Sequence, residues 1–317
     1  MALPFARERV AGGILGLLIG DALGVPYEFS SPEALPSFDA IEMTPPPGFK
    51  RAHGVPPGTW SDDGAQALCL AATLMTRNGF HAEDFANRLR NWANVGYLAV
   101  DGHVFDIGTQ TGRALRNLAS GSPPLQAGPS GEADNGNGAL MRVLPLALWH
   151  AARTAALVED AEAQSRVTHG HARSTVCCAM LCFIACGLMR GESFATAWER
   201  SAQDLQAHYR SDPEARRELE FILDPVHAGR VRGSGYVLDS LWSARSCLID
   251  DPDYALAVRR AIKLGNDTDT TACIVGGLAG IVHGVDGIPE RWRAALRGDD
   301  MLAPLLSEFI AAVEARR

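Results

Sequence analysis

Apolar residues recur at intervals of three and four along almost the whole of this 317-residue chain. Strand-like alternation is confined to the short stretch Ile41–Met43. That pattern leaves an all-α fold as the expectation, because only helices can bury stripes of that period. It predicts helices over 7–23, 63–77, 83–93, 111–119, 138–151, 153–166, 173–190, 193–207, 213–223, 235–249, 252–264, 269–284, 289–297 and 300–315. A chain of this length can bury a sizeable core. No repeat of fixed period and no clean linker divides it, so a single compact domain over 1–317 is expected. Three loops rich in Gly and Pro interrupt the helices: Ser30–Gly58, Ser120–Gly138 and Val226–Gly235. Loops this long are usually functional or disordered.

The balance of residue types removes several function classes. At 47% hydrophobic and 21% charged the chain is not globally disordered. Its net charge of −8 is wrong for tracking a nucleic-acid backbone, which needs clustered Lys and Arg. Lys50 and Lys263 are the only lysines among the 29 basic residues, a bias we attribute to a GC-rich genome. Seven cysteines, an odd number with no C-x-x-C pair, argue for a reducing compartment. Cys178, Cys182 and Cys186 recur every fourth residue, as in a metal or cluster site or, the reading preferred here, a buried stripe of small hydrophobes. No uninterrupted apolar run reaches the roughly 18 residues of a membrane span. Arg7 and Arg9 before Val10–Gly20 imitate a signal peptide, but Glu8 lies between them, Asp21 ends the run and no A-x-A site follows. Gly12, Gly16 and Gly20 look instead like a closely packed helix face. The expectation is a cytoplasmic protein with no membrane partner.

Two helix starts are unusually acidic. Gly58-Thr59-Trp60-Ser61-Asp62-Asp63 opens one, with Ser61 or Asp62 as N-cap. Gly265-Asn266-Asp267-Thr268-Asp269-Thr270-Thr271 opens another, which carries Gly276-Gly277. Capping explains one carboxylate at a helix start, but it does not need two carboxylates and several hydroxyls. If the two starts face each other, Asp62, Asp63, Asp267 and Asp269 converge with Ser61 and Thr270. Four carboxylates at close range repel unless cations intervene. The donors are all hard oxygens, which select Mg²⁺ or Mn²⁺, or Ca²⁺, over Zn²⁺, and they suffice for two ions sharing a bridging Asp. Asp267-x-Asp269-x-Thr271 also matches the D-x-D-x-T pattern of aspartyl-phosphate phosphatases. That chemistry needs a buried parallel strand before the first Asp, and here a helix ending at a Gly cap precedes it.

Asn135-Gly136-Asn137-Gly138 before a helix can present backbone N–H groups to a pyrophosphate, or can be an ordinary turn with a cap. His169 and His171, between two helices, read as structural, capping the turn, and stay outside the metal set. Trp60, Tyr27 and Phe29 adjoin the first acidic motif, as core residues or as a border of the cleft.

Taken in order, these segments resemble the ADP-ribosylglycohydrolase family. GLLIGDALGVPYEF (Gly16–Phe29), GTWSDD (Gly58–Asp63), FDIGTQT (Phe105–Thr111), NGNGALMR (Asn135–Arg142), THGH (Thr168–His171), GYVLDSL (Gly235–Leu241) and GNDTDTTA (Gly265–Ala272) carry the resemblance, which runs from about Arg9 to Trp292. It implies a compact all-α fold with a binuclear Mg²⁺ or Mn²⁺ cleft, in which Ser61, Asp62, Asp63, Asp267, Asp269 and Thr270 are the metal ligands. Ser61 stands where many members have Thr. Glu28 matches an acidic residue of a mobile loop near the metals, and Asp106 a position proposed to help the chemistry. Gly136, Asn137 and Gly138 fall in the loop that carries the ADP-ribose phosphates, Asn135 and Gly108 are further substrate-binding candidates, and Tyr236 matches an aromatic near the nucleotide. The implied reaction removes ADP-ribose from arginine of a protein or a small guanidino acceptor, with Glu28, Asp63, Asp106 and Asp269 as candidate catalytic carboxylates. Alternatives on the same fold are hydrolysis of O-linked ADP-ribose (ADP-ribosylserine, O-acetyl-ADP-ribose) and a non-catalytic member.

Overall fold

The structure, a computed structural model, describes residues 5–316. Its helices are α1 (Phe5–Gly24), α2 (Asp62–Arg77), α3 (Ala82–Val95), α4 (Thr109–Ala119), α5 (Pro124–Ala127), α6 (Leu144–His150), α7 (Ala155–Arg166) and α8 (Ala172–Met189). There follow α9 (Phe194–His208), α10 (Pro213–Ile222), α11 (Val237–Leu248), α12 (Tyr254–Lys263), α13 (Thr268–His283), α14 (Glu290–Ala295) and α15 (Asp299–Ala315). All fourteen expected helices are present. The single turn α5 is additional, and the expected helix over 138–151 begins only at Leu144. There the Asn137 carbonyl draws in the N–H groups of Leu140 and Met141, which makes turns of 138–143, and Pro145 then opens the helix.

No strand forms among the described residues. Ile41 and Met43 are buried as the alternation suggests, yet no second strand is needed. The Tyr27 hydroxyl donates to the Glu42 carbonyl at 2.7 Å and accepts from the Glu42 N–H at 3.1 Å, which satisfies that backbone. Tyr27 and Trp60 are core residues, the Trp60 indole donating to the Leu98 carbonyl, whereas Phe29 is 72% exposed. One contiguous hydrophobic core runs from α1 to α15.

The pair α1 and α13 lies at its centre. Gly12, Gly16 and Gly20 of α1 face Gly280, Gly276 and Ala272 of α13 so closely that a Cβ on any of the three would strike backbone atoms of α13 or of the turn just after it. The glycine face expected of the first helix is therefore a backbone-to-backbone seam. One turn further on, a Cβ on Gly24 would lie 2.6 Å from the Asp269 nitrogen, so the start of α13 abuts the end of α1. All seven cysteines are buried, and the Cys178, Cys182 and Cys186 stripe packs inside the fold as α8. The helical segments Arg7–Tyr27 and Ala172–Met189 are long and apolar enough to cross a bilayer, and both are largely buried within the protein.

Candidate metal and ligand cleft

The two acidic helix starts meet. At α2 the cap is Ser61, whose hydroxyl oxygen accepts from the Asp63 N–H at 3.3 Å. Neither aspartate is needed for that purpose. Asp63 Oδ2 instead accepts from the Ser61 hydroxyl at 3.1 Å and from the Thr270 hydroxyl, across the gap, at 3.4 Å. At α13 Asp267 occupies the capping position without capping, and accepts from the Asn137 amide at 2.8 Å. Asp62 accepts from the Gln66 amide at 3.0 Å. Capping therefore accounts for Ser61 and leaves Asp62, Asp63 and Asp267 unexplained.

Asp21 holds this geometry in place. Its buried carboxylate, on α1, accepts the Ser61 N–H at 3.0 Å and the Gly64 N–H at 2.8 Å, tying the start of α2 to the first helix. Sequence reasoning assigned Asp21 no place in the site. The available signal was a carboxylate one residue beyond Gly20 in an apolar helix that buries all its neighbours.

The electrostatics of the cluster are unbalanced. Burial, reinforced by neighbouring carboxylates, holds Asp62, Asp63 and Asp269 well above the usual carboxylate range. Burial raises Asp267 too, against the Asn137 hydrogen bond, and lifts Asp21 to about 7. Asp63 Oδ1 is buried with no hydrogen-bond partner. An unpartnered carboxylate oxygen among other carboxylates is costly, and a divalent cation resolves both the charge and the missing partner. The donors, carboxylate and hydroxyl oxygens throughout, fit a hard cation of the Mg²⁺ or Mn²⁺ kind. Oxygens of Glu28, Asp267 and Asp269 lie within 4.8 Å of one another.

Glu28 reaches this cluster because the chain after α1 is clipped to the start of α13. Phe29 N–H donates to the Asn266 carbonyl at 2.6 Å, and Asn266 N–H to the Ser30 carbonyl at 2.7 Å, with Phe29 and Asn266 both at positive φ. The Glu28 carboxylate is hydrogen-bonded to His53 Nε2. Burial raises Glu28 to about 7, with Asp106 and Asp267 adding to the shift, while its bond to Glu28 raises His53. Glu28, His53 and Asp106 form a second tight group, and the His53 ring lies 5.0 Å from Phe105 and 5.8 Å from Phe29. Sequence reasoning missed His53, which sits in the first long loop with no local pattern to mark it.

Beyond these carboxylates opens a cleft of about 1290 Å³. Glu28, Asp62, Asp106, Asp267 and Thr270 line it, together with Gly108, Asn135, Gly136, Asn137, Gly138 and Tyr236. Ser61, Asp63 and Asp269 are buried behind that wall. One expectation needs correction. The Asn135–Gly138 loop does not open a helix, and two of its N–H groups are already engaged: Gly136 with Gln110 Oε1 and Asn137 with the Gly235 carbonyl. That pairing, with Gly136 bridged to Tyr236, joins two loops into one wall. Gly108 is the exposed N-cap residue of α4, and the Tyr236 hydroxyl accepts from Arg173 at 3.2 Å. His171 caps α8, as expected of a structural histidine, and His169 packs beneath Gly136 and Gly138. Gln110, Arg113 and Arg173 also line the cleft and were not singled out from the sequence. Gly265, at positive φ two residues beyond α12, precedes Asp267 where a phosphatase would have a strand, which excludes the aspartyl-phosphate reading.

Comparison with known proteins bears on the family and the fold. The family model for ADP-ribosylglycohydrolase matches residues 3–317. The chain belongs to the ADP-ribosylglycohydrolase family. It is 31% identical over 304 residues to the ADP-ribosylarginine hydrolase Tri1 of Pseudomonas putida, covering 96% of this chain and 78% of that one. It is 28% identical to the ADP-ribosyl-[dinitrogen reductase] glycohydrolase of Rhodospirillum rubrum, covering 93% and 92%. Human ADP-ribosylhydrolase ARH3 is 25% identical, with 94% and 93% covered. A solved structure titled ADP-ribosylglycohydrolase-related protein complex superposes with a TM-score of 0.76 at 29% identity, covering 99% of this chain and 100% of the other. As an ADP-ribosylglycohydrolase the protein is an all-α member of a hydrolase family, and residues of its acidic cluster line the cleft.

Proposed function

We propose that this ADP-ribosylglycohydrolase is a single-domain, metal-dependent hydrolase that releases ADP-ribose from arginine, in a modified protein or a small guanidino compound. The observation that carries the reading is the meeting of Asp62 and Asp63 with Asp267 and Asp269 at a cleft that Glu28 also lines. Ser61, Asp62, Asp63, Asp267, Asp269 and Thr270 would hold two Mg²⁺ or Mn²⁺ ions. Such ions, when bound, orient ribose hydroxyls and make bound water more acidic.

The chain's own residues supply the rest. The bond to be broken joins the anomeric carbon to nitrogen, and its transition state has oxocarbenium character. Glu28 would accept the proton of the attacking water, a role supported by a carboxylate raised to about 7, which suits a base near neutral pH. The oxygen–carbon bond forms as the carbon–nitrogen bond breaks, and the proton that Glu28 takes from water passes to the departing guanidine nitrogen. His53 holds Glu28 from the other side. Asp106, beside them, offers negative charge to a cationic leaving group. The arginine linkage draws its support from relatives named for ADP-ribosylarginine. The reading includes a reducing cytoplasm as the compartment, in keeping with an odd number of cysteines, all of them buried.

Mass spectrometry of products from arginine- and serine-ADP-ribosylated peptides tests it. Free ADP-ribose is expected from the arginine peptide. Release confined to the serine peptide or to O-acetyl-ADP-ribose would replace the arginine linkage with an O-glycosidic one.

A further inference from the structure

Arg142 is wholly buried in the turn before α6, with its guanidinium 5.1 Å from the centre of the Phe85 ring. A buried guanidinium ordinarily pairs with a carboxylate. The acceptors around this one are neutral: Gln66 Oε1 at 2.6 Å, Gln164 Oε1 at 3.1 Å, the Gln164 carbonyl at 3.1 Å and Thr168 Oγ1 at 2.7 Å. Burial lowers its pKa to about 10, which still leaves it charged at neutral pH.

A guanidinium only donates, and that one-way character propagates to its partners. Gln66 can turn either end of its amide toward a neighbour. With Oε1 held by Arg142, its NH₂ end faces Asp62 and donates to Oδ2 at 3.0 Å. Turned the other way, Gln66 would set an oxygen against a carboxylate. Thr168 behaves alike. Its oxygen accepts from Arg142, and among the described residues the hydroxyl proton has no acceptor other than His169 Nδ1, 2.8 Å away, so it is donated there. Burial, and then the charge of Arg142, keeps His169 neutral, well below the usual histidine pKa. A neutral imidazole accepting at Nδ1 carries its proton on Nε2. Nε2 is the edge beneath Gly136 and Gly138, where the cleft runs.

We infer that Arg142 is a positioning residue that fixes the direction of two hydrogen-bond chains, one ending on the Asp62 carboxylate and the other presenting an Nε2–H of His169 to the cleft. Asp62 is thereby held in one orientation, and the cleft gains a donor for an oxygen of its ligand. The inference rests on the proposed function only for what fills the cleft. The proton positions belong to the ligand-free chain.

Long-range ¹H–¹⁵N correlation spectra of histidine-labelled protein, without metal or substrate, read the tautomer directly. Wild-type His169 is expected with its proton on Nε2 and a hydrogen-bonded Nδ1. A proton on Nδ1 overturns the inference. Thr168→Val keeps Arg142 but removes the hydroxyl, and should shift the Nδ1 resonance to that of a nitrogen without a donor. An unchanged resonance also overturns it. Gln66→Met should weaken Mn²⁺ binding by calorimetry about tenfold or more, with helix content and the His169 tautomer retained. Affinity within twofold of wild type refutes the Asp62 chain. Arg142→Met should produce both changes together, and Arg142→Lys, a point charge without the fork, should restore neither in full. Should the Arg142 variants fail to fold, Thr168→Val and Gln66→Met still decide. A wild-type protein that binds no Mn²⁺ yet shows the Nε2 tautomer would sink the metal-dependent function and leave the His169 chain standing.

Discussion

Gly20→Ala separates helix propensity from helix packing, because the two predict opposite signs. Gly20 lies inside α1, where alanine favours the helix by about 0.5–1 kcal/mol. A Cβ at this position meets the Ala272 carbonyl of α13, with the carbonyl carbon at 2.7 Å and the oxygen nearer still. The obstacle is helical backbone and cannot rotate aside, so one helix must shift away from the other. Overpacking of this kind costs about 1–3 kcal/mol, and a rigid carbonyl places it at the upper end. The net expectation is a loss of about 2 kcal/mol, or about 4 °C or more in the unfolding midpoint at roughly 2–4 °C per kcal/mol. Thermal and urea unfolding of the variant beside Gly54→Ala make the test. A Cβ on Gly54 meets nothing within 4 Å, so that control should stay within about 0.5 kcal/mol of wild type. A Gly20→Ala protein as stable as wild type, or more stable, would show that the seam between α1 and α13 yields freely and that its closeness does not set the position of Asp269.

Chelation should abolish hydrolysis, and either Mg²⁺ or Mn²⁺ should restore it; full activity in metal-free protein would remove the metal centre. Asp62→Ala and Asp269→Ala should each lose bound metal, by elemental analysis, together with activity. Glu28→Gln keeps size and hydrogen bonding but removes the base, and should lower kcat about 10²–10⁴-fold with metal content unchanged; turnover within threefold of wild type would assign the base elsewhere. His169 predicts a pH effect on stability. Its folded pKa is depressed, so its contribution is complete above the unfolded value of about 6.5 and is lost as pH falls below it, where the unfolded chain takes up a proton the buried ring refuses. The stability gap between wild type and His169→Gln should therefore move by up to about 1.4 kcal/mol per pH unit below 6.5, and a gap constant from pH 8 to 5 would contradict this.

The parts legible in the sequence are those with local grammar. Helices announce themselves by period, which is why fourteen were expected and found, and the two acidic starts stood out because each carries more carboxylates than a cap can use. The parts not legible depend on distant partners. Asp21 looks like the polar end of an apolar run until the Ser61 and Gly64 N–H groups are seen to point at it. His53 acquires meaning only from Glu28, 25 residues away, and Arg142 only from Gln66, Gln164 and Thr168 on other helices and turns. The late start of α6 was hidden for a related reason. Residues 138–143 keep an apolar period, but the turn that Asn137 directs overrides it.

Asp21, Gly24 and Glu28 lie within eight consecutive residues, and through them one stretch of chain sets the height and bearing of three separate walls of the site. A residue inserted between Gly20 and Gly24 would turn whatever follows by about 100° and advance it about 1.5 Å. No single later substitution could realign all three walls. Length changes at an exposed turn such as Ser120–Gly121 carry no such penalty, whereas the loops Ser30–Gly58 and Ser120–Gly138 bring His53 and Asn137 to the site and are tied to that frame. A lineage built this way inherits its chemistry as a block while its choice of acceptor is free to drift. New members of the family should therefore differ first in the lips of the cleft and last in the short run between Gly20 and Glu28.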